Sequence, residues 1–410
     1  MATTESFSAM LKRYMPYELL QEEMKKRNYF WNKVEKDNGW YGGTLEVPFE
    51  VGEASSLSFG ALTSSSDIAE GTYVMGTVST MPELWGSLIF NEKDLDRHGN
   101  MEKSYLKILP GKIDQFVGRM QERVSLSLLG DGSMAVATAS GDSSGNLTVD
   151  HPERFSIGEL CVIDDDNSSP VNGYVRTINV NTGVVTFYDA RTGGSVVNLS
   201  GYTTGQNAKV YLVAAQASGF TSLYTQLLSS ANGGASTIAG QTKASYPMLQ
   251  AINISGSAYT AATILQDLFG AFYTVHKLGK GNPSEILVSF GLFKNIAIGL
   301  EANRQFQVSE KKAGYGFRSV TVMGIDGDLT ITAVRDMPDN VAYIMDWSAL
   351  KFFGSKFFER KRHMDGSEAF LVRATTGYSY IVDCKFYGDL IVHNPSHCGI
   401  VYSIPAACAA

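Results

Sequence analysis

The chain has 410 residues, of which 44% are hydrophobic and 18% charged, and its formal net charge is −7. This length allows two or three domains, and the negative charge excludes a globally basic nucleic-acid-binding protein. The four cysteines have no C-x-x-C spacing, which favours free thiols in a reducing compartment over a zinc site or a disulfide framework.

The first element is an amphipathic segment within residues 1–43, which we interpret as an N-terminal arm. The stretch "PYELLQEEMKKRNYFWNKV" has helical spacing, with acids first and bases last. It has no continuous apolar core, so a signal peptide is not expected. Two interpretations stay open: a helix on its own domain, or an arm on a neighbouring copy. The second makes Phe30 and Trp31 candidate interface residues.

Residues 44–90 contain two extended runs, "TLEVPFEVGEA" and "YVMGTVSTMPELWGSLIF", around a segment rich in Ser and Gly. This pattern predicts a long two-stranded ribbon. An isolated ribbon is only marginally stable in water, so this one must lie on something. We expect Phe59, near the tip, and Leu62 to contact an adjacent copy.

Residues 91–149 contain one strong helix pattern, and residues 150–213 read as a small all-β unit. The helix is predicted over Pro110–Leu129, with Pro110 in its first turn and Gly130 as its stop. The β unit is predicted to have strands at 160–164, 173–179, 184–189 and 208–213. It has the character of an insertion at a surface loop of a parent domain.

Residues 214–335 read as α/β and residues 336–410 as strand-rich. Helices are predicted in "AYTAATILQDLFGAFYTVHKLG" and "GLFKNIAIGLEANRQF", with the short strand "SEILVS" between them. Between Val210 and Gln266 the single charged residue is Lys243. Because solvent-facing surfaces normally carry mixed charges, we interpret this region as covered by other subunits.

No catalytic or metal-binding motif emerges from the chain. Counted from Asp164, the run Asp164–Asp166 has Ser169 and Val175 where a calcium loop needs Gly and Glu. A solvated turn is the favoured interpretation, and a looser calcium site is the alternative. The pair His393 and His397 is interrupted by a proline, and Cys398 beside His397 would point to the opposite face of a strand.

The main basic cluster is "KFFERKRHMDG", residues 356–366. Three interpretations stay open: an exposed strand with surface salt bridges, a patch that meets acids of a neighbour, or contact with nucleic acid. Under the second interpretation Arg360, Lys361 and Arg362 are candidate interface residues.

The order of these parts resembles the Hong Kong 97-type major capsid proteins of tailed bacteriophages. The ribbon 44–90 is similar to the family's extended loop, and "PGKIDQFVGRMQERVSLSLLGDGS" is similar to its spine helix. The passage "AVRDMPDNVAYIMDWSALKF" is the most specific part of the resemblance. It reads as a strand to Val334, a turn through Pro338, and a strand to Asp346. The resemblance covers nearly the whole chain.

The resemblance implies an α+β fold with an N-terminal arm, an extended loop, a spine helix, and peripheral and axial domains, plus an inserted all-β domain. Residues 214–335 would be mainly axial, and residues 336–410 would return to the peripheral domain. It implies a non-enzymatic protein without cofactor or metal that forms pentamers and hexamers around double-stranded DNA. The expected location is the virion, with assembly in the bacterial host cytoplasm and no membrane partner.

Two departures from the family refine these expectations. Some members cross-link through a lysine in the extended loop, but residues 44–90 contain no lysine, so that chemistry is not expected. The short segment before the ribbon implies a separate scaffolding protein, beside a portal and possibly a cement protein. The alternatives are an encapsulin-type shell around cargo protein and, more remotely, a β-rich hydrolase.

Overall fold

The computed structural model describes residues 29–40, 43–52, 72–91, 102–143, 145–164, 169–199, 208–213, 215, 219–303, 319–323, 328–354, 359–360, 372–373 and 379–409. In these ranges the α-helices are α1 (Tyr29–Lys33), α2 (Glu102–Leu129), α3 (Leu223–Leu227), α4 (Ile264–Leu278) and α5 (Phe290–Asn303). The strands of the first half are β1 (Glu35–Asp37), β2 (Leu45–Gly52), β3 (Thr72–Val78), β4 (Glu83–Asn91), β5 (Ala135–Ser143), β6 (Asn146–Val149), β7 (Leu160–Asp164), β8 (Val171–Asn179), β9 (Val184–Tyr188) and β10 (Lys209–Leu212). Those of the second half are β11 (Thr237–Ile238), β12 (Gln241–Thr242), β13 (Ile252–Ser255), β14 (Glu285–Val288), β15 (Ser319–Met323), β16 (Asp328–Ala333), β17 (Ala342–Met345), β18 (Leu350–Phe353), β19 (Glu359–Arg360), β20 (Val372–Arg373), β21 (Ser379–Tyr387), β22 (Asp389–Val392) and β23 (Gly399–Tyr402).

The chain divides into two compact units. Residues 1–130 and 220–410 form the main unit, and residues 131–219 form the barrel unit. The helix and strand predictions for the second half of the chain are confirmed in type, although α4 begins at Ile264, later than the pattern suggested.

A mixed six-stranded sheet forms the centre of the main unit, in the order β13-β23-β17-β14-β16-β15. The pairs β13–β23 and β14–β16 are parallel, and the other neighbours are antiparallel. Helices α4 and α5 cover one face, where their apolar stripes form a core with alternate residues of the strands.

The opposite face of this sheet meets the C-terminal end of α2. Tyr343 of β17 donates a hydrogen bond of 3.0 Å to the carbonyl of Leu129. The predicted end of this helix is confirmed, but its predicted start is wrong. The helix begins at Glu102, so Pro110 lies inside it and not in its first turn.

The ribbon is only partly as the sequence predicted. Strands β2 and β3 pair as an antiparallel hairpin. The second extended run, however, is two strands, and β4 leaves the hairpin to pair with β21. At Gly86 of β4 an added Cβ would lie 2.7 Å from the Phe116 ring, so the absence of a side chain lets this strand approach α2 closely.

The inner face of the hairpin belongs to the core of its own chain. Leu45, Val47 and Phe49 alternate along β2 and are buried. They pack with Leu249 and Ile391, which come from distant parts of the main unit. The described part of the ribbon therefore lies on its own subunit.

Phe30 and Trp31 are core residues, which corrects the interface interpretation of these two side chains. Their exposed fractions are 0% and 3%. Trp31 makes edge contacts with Phe352 at 4.9 Å and Phe386 at 5.2 Å between ring centroids. Side chains buried within one chain are not available to a neighbour. The following strand β1 joins β18 in a three-stranded sheet with β22.

The barrel unit is a closed six-stranded barrel in the order β10-β5-β6-β9-β8-β7. Its interior is a separate apolar cluster that includes Leu147, Ile163 and Phe187. The predicted range, 150–213, began too late, because β5 and β6 precede Asp150 and complete the barrel. These strands carry Ala, Ser, Thr and Gly more than large apolar residues, so their alternation is weak in the sequence.

Candidate interaction surfaces

The structure describes only some of the predicted interface residues. Phe59, Leu62, Lys361 and Arg362 lie outside the described residues. Arg360 lies in β19, opposite Cys384 of β21. The surfaces that the structure does show come from residues that the sequence did not single out.

The outer face of the ribbon combines apolar side chains with acids. Tyr73 is 64% exposed and lies opposite Glu50, and Met75 is 48% exposed and lies opposite Pro48. Behind this face, the Gln241 side chain donates a hydrogen bond of 2.8 Å to the Met75 carbonyl. The ribbon thus presents a partly apolar outer surface.

A second exposed aromatic surface lies where β4 pairs with β21. Trp85 is 58% exposed, and its indole N–H donates a hydrogen bond of 2.8 Å to Glu83. The Lys385 ammonium lies 5.4 Å from the Trp85 ring and 4.8 Å from the Tyr387 ring. The Lys385 ammonium thus contacts the exposed ring of Trp85 and the buried ring of Tyr387 through cation–π interactions.

The two helices on the central sheet form a third surface. On α5, Phe290 and Ile298 are 56% and 53% exposed and share one side of the helix with Lys294. On α4, Tyr273 and Leu278 are also exposed. These side chains lie away from the sheet, so the outward faces of the two helices are partly apolar.

The charge-poor stretch contains a buried charge and a solvent-exposed, uncharged surface. Lys243 is buried, and its ammonium donates hydrogen bonds of 2.8 Å to the carbonyls of Thr225 and Leu228 at the end of α3. Burial lowers the pKa of Lys243 to about 8. Residues 230–233 and 257–258 are exposed and carry no charge. The proposal that other subunits cover this stretch therefore applies to its exposed loops.

Among the residues that the structure describes, Cys398 with His397 and Asp346 has the residue types of a nucleophilic site. His397 Nδ1 lies 3.5 Å from an Asp346 oxygen. Burial raises the pKa of Asp346, but hydrogen bonds from His397, Ser348 and Asn282 outweigh it and lower this pKa to about 2. Burial raises the pKa of the Cys398 thiol to about 12, and the residue is fully buried. A protonated, inaccessible thiol is not a nucleophile.

Within the described ranges, no group of three or more His, Cys, Asp or Glu residues has the geometry of a metal site. Asp164 ends β7, whereas Asp165 and Asp166 lie outside these ranges. Of the helices described, none is long and apolar enough to cross a membrane.

The buried ionisable groups were not recognised from the sequence. Glu285 of β14 is buried and accepts hydrogen bonds from Tyr29, Thr332 and Trp347, the last at 2.8 Å. Asp389 of β22 accepts hydrogen bonds of 2.7 Å and 2.6 Å from the Thr221 N–H and hydroxyl. Only the lone lysine in a charge-free run could have been noticed, since the partners of the others are far away in the chain.

No protein-family model matches the chain, and no curated protein matches it in sequence. The solved structures named below, to which the chain is similar, are phage or GTA capsids. They include the cyanophage A-1(L) capsid asymmetric unit, with 13% identity, a TM-score of 0.48, and coverage of 91% of this chain and 90% of that chain. The capsid of the native GTA particle has 8% identity, a TM-score of 0.46, and coverage of 92% and 90%. The capsid structure of cyanophage P-SCSP1u has 9% identity, a TM-score of 0.42, and coverage of 91% and 87%. The sequence resemblance was to the same class of protein.

Proposed function

We propose that the chain is the major capsid protein of a tailed bacteriophage. It assembles as pentamers and hexamers into an icosahedral head shell that encloses double-stranded DNA, and it has no enzymatic role. In this proposal the six-stranded sheet with α4 and α5 is the axial domain, α2 is the spine helix, and β2–β3 is the root of the extended loop. The barrel unit is the inserted domain and stabilises the shell.

One observation carries the proposal: large apolar side chains are exposed on three separate elements of the main unit. They lie on the ribbon at Tyr73, on β4 at Trp85, and on α5 at Phe290 and Ile298. Where exposed apolar side chains are neighbours, as Tyr73 is of Met75 and Phe290 is of Ile298, they are candidates for contacts with another subunit. Contacts between unlike patches of identical subunits close into rings, and a shell subunit needs several such contacts with several neighbours.

The electrostatics fit enclosure of DNA without sequence recognition. The formal net charge is −7, whereas proteins that grip DNA neutralise many phosphates with lysine and arginine. We therefore propose that the partners are other copies of the chain, a separate scaffolding protein, a portal and possibly a cement protein. The DNA is contained in the shell, which forms in the host cytoplasm and becomes part of the virion.

The size of the assembled protein tests the proposal. The chain is purified after expression alone and after expression together with the phage genes around its own gene, and is examined by sedimentation and electron microscopy. We expect closed particles of megadalton mass with five-fold and six-fold clusters of subunits. A chain that stays monomeric or dimeric in both preparations contradicts the proposal.

The particle contents and a denaturing gel separate the shell classes. Nuclease-protected double-stranded DNA in particles from infected cells supports a phage head, whereas packaged cargo protein without DNA supports an encapsulin-type shell. Because residues 44–90 contain no lysine, the subunits are expected to run as monomers after boiling in reductant. A ladder of covalent multimers would show that another cross-link exists.

A further inference from the structure

The outside of the barrel unit carries a continuous row of apolar and aromatic side chains. Leu160 of β7 lies opposite Tyr174 of β8, Tyr174 lies opposite Tyr188 of β9, and Tyr188 bridges to Val196. The residues that follow Leu160, Tyr174 and Val196, and the residue that precedes Tyr188, belong to the barrel core. Because side chains alternate along a strand, the four project outward and form a row about 14 Å long.

This row is unusual for the outside of an antiparallel barrel, where polar residues normally face the solvent. Further along the same two strands, the outward pair is Thr177 and Thr186, joined by a hydrogen bond of 2.8 Å between their hydroxyls. At the row itself, Val196 is 43% exposed, and nearby Ile157 is 72% exposed. Leu160, Tyr174 and Tyr188 are partly exposed. The row therefore presents an exposed residue at one end and partly exposed residues along the rest of its length.

Two arginines flank the row. The Arg176 guanidinium lies 5.4 Å from the Tyr188 ring and donates a hydrogen bond of 3.0 Å to the carbonyl of Arg191. The Arg191 side chain lies beside Gly158, where an added Cβ would be 3.5 Å from Arg191 Nε. The Arg176 guanidinium is thus next to the Tyr188 ring, and the Arg191 side chain is next to Gly158, two residues before Leu160.

Two acids lie at the ends of the row. Glu159 precedes Leu160 and accepts a hydrogen bond of 3.1 Å from the Ser156 N–H. Asp189 follows Tyr188 and accepts a hydrogen bond of 2.8 Å from the Ser195 N–H. The surroundings of the row therefore contain two bases and two acids and are electrically neutral.

The rest of the barrel unit is acidic. Residues 131–219 contain nine acidic and four basic residues, a net charge of −5. With two of each around the row, the remaining surface carries the whole charge of −5. Two copies of this unit, each with a net charge of −5, repel each other, and the four charged residues named near the row sum to zero and do not add to this repulsion.

We propose that the row is a contact between two copies of the chain, arranged about a two-fold axis. Such an axis turns one copy end for end, so that the arginines of one copy can approach the acids of the other. Tyrosine and arginine are the residue types that dominate interface energies. The proposal deepens the proposed function, because the shell supplies the second copy and the barrel unit stabilises the shell through this contact.

A cross-linking experiment tests the geometry. Tyr174→Cys places a thiol near the middle of the row, and a short bis-maleimide is added to particles or to the concentrated chain. Lys209→Cys is the matched control, because Lys209 of β10 lies opposite Asp164, at the other end of β7 from Leu160. We expect a cross-linked dimer from Tyr174→Cys and not from Lys209→Cys. Equal yields from the two variants overturn the proposal.

Charge-reversal variants test whether the arginines of one copy contact the acids of the other. Arg191→Glu is compared with Lys209→Glu, which makes the same change of charge beside Asp164, at the other end of β7 from Leu160. In urea at the parent's disassembly midpoint, Arg191→Glu is expected to increase the ratio of free to assembled subunits about tenfold, and Lys209→Glu much less. The double variant Arg191→Glu with Glu159→Arg is expected to recover most of this loss.

The outcomes separate this inference from the proposed function. If the parent forms particles and the two single variants disassemble alike, the row is not a contact although the chain is a shell protein. If the parent forms no particles, the proposed function fails, and cross-linking of the concentrated chain still decides whether the row pairs.

Discussion

The two units of the molecule differ in what they bury. The barrel unit encloses an apolar cluster with residues such as Leu147 and Phe187. Among the described residues, the buried charged side chains all belong to the main unit, and they include Lys243, Glu285 and Asp389. A barrel closes by pairing each strand with two neighbours, so hydrophobic burial is sufficient to stabilise it. The main unit must also hold distant segments in a fixed arrangement.

The buried polar groups of the main unit connect such segments. Glu285 binds Tyr29, which is 256 positions away in the sequence. Asp389 binds Thr221, and the Gln226 side chain forms hydrogen bonds of 2.7 Å and 2.9 Å with the backbone of β22. A buried polar group is costly when unpaired, so each of these contacts favours one arrangement of the segments over others. This difference predicts that mutations and pH affect the two units separately.

The largest effect is expected from a cavity in the barrel. Phe187→Ala removes a fully buried ring and should lower the free energy of unfolding of the barrel unit by about 4 kcal/mol. Urea unfolding is followed by hydrogen exchange of peptides from each unit. Peptides from 131–219 are expected to lose protection at lower urea, while those from β14 and β17 keep theirs. Thr177→Val on the outside of β8 is the control. A single transition that shifts for both units contradicts the comparison.

Removal of the Glu285 carboxylate should destabilise the main unit instead. Glu285→Leu leaves the Tyr29 and Thr332 hydroxyls and the Trp347 indole N–H without their acceptor, and the expected loss is about 3 kcal/mol. The same hydrogen-exchange experiment should show early exposure of residues 29–37, while the barrel peptides stay unchanged. Glu153→Leu, at an exposed carboxylate of the barrel unit, is the control. Loss of protection in both units at once would show that they unfold together.

The sequence predicted those elements whose pattern is local. Helices α4 and α5 show helical periodicity, and strands β14, β16 and β17 are short, largely apolar runs. All were predicted in type, although α4 begins six residues later than predicted. The pairing of β4 was missed because "YVMGTVSTMPELWGSLIF" reads as one extended run, although the Met81–Pro82 step separates two strands with different partners. Periodicity indicates a strand but does not identify its neighbour.

The candidate surfaces were harder to predict than the fold. Phe30 and Trp31 have the character of interface residues, but their partners Trp347 and Phe352 come from the other end of the chain. The row on the barrel unit forms only because the register of four strand segments places Leu160, Tyr174, Tyr188 and Val196 next to one another. Nothing in the sequence indicates that these four residues are neighbours. Burial and exposure of an aromatic residue are decided by tertiary contacts, which a single sequence does not contain.

The titration of Asp389 should make the stability of the main unit depend on pH, which separates it from the barrel unit. Burial raises the pKa of this carboxyl to about 6, although hydrogen bonds from Thr221 and Leu390 oppose the increase. The folded main unit therefore holds this proton more tightly than the unfolded chain, whose aspartate has the ordinary pKa of 3.8. The stabilisation is complete below about pH 4 and is lost as the pH rises through 6.

The variant Asp389→Asn keeps an acceptor for the backbone N–H groups but cannot ionise. Relative to the parent, it should be equally stable at pH 4 and about 2 kcal/mol more stable at pH 7.5. The measurement is the urea midpoint of the main unit at both pH values, with the barrel unit as an internal reference. A difference between variant and parent that does not change with pH would exclude Asp389 as the titrating group.

The smallest change in the free energy of unfolding is expected at Lys243, and it occurs at alkaline pH. Burial lowers its pKa from 10.5 to about 8, so between these values the unfolded chain binds more protons than the folded one. The stability of the main unit should therefore rise with pH in this window, by about 1 kcal/mol after allowance for solvent screening.

Lys243→Met cannot lose a proton and should not show the rise. Lys243→Arg should not show it either, because arginine stays protonated throughout. Lys209→Met in the barrel unit is the control and should keep the rise. The measurement is the urea midpoint of the main unit at pH 7.5 and pH 10, taken as a difference from the parent so that other titrating groups cancel. A rise that persists in both Lys243 variants would mean that another group causes it, and that the lysine at the end of α3 is a fixed structural cation.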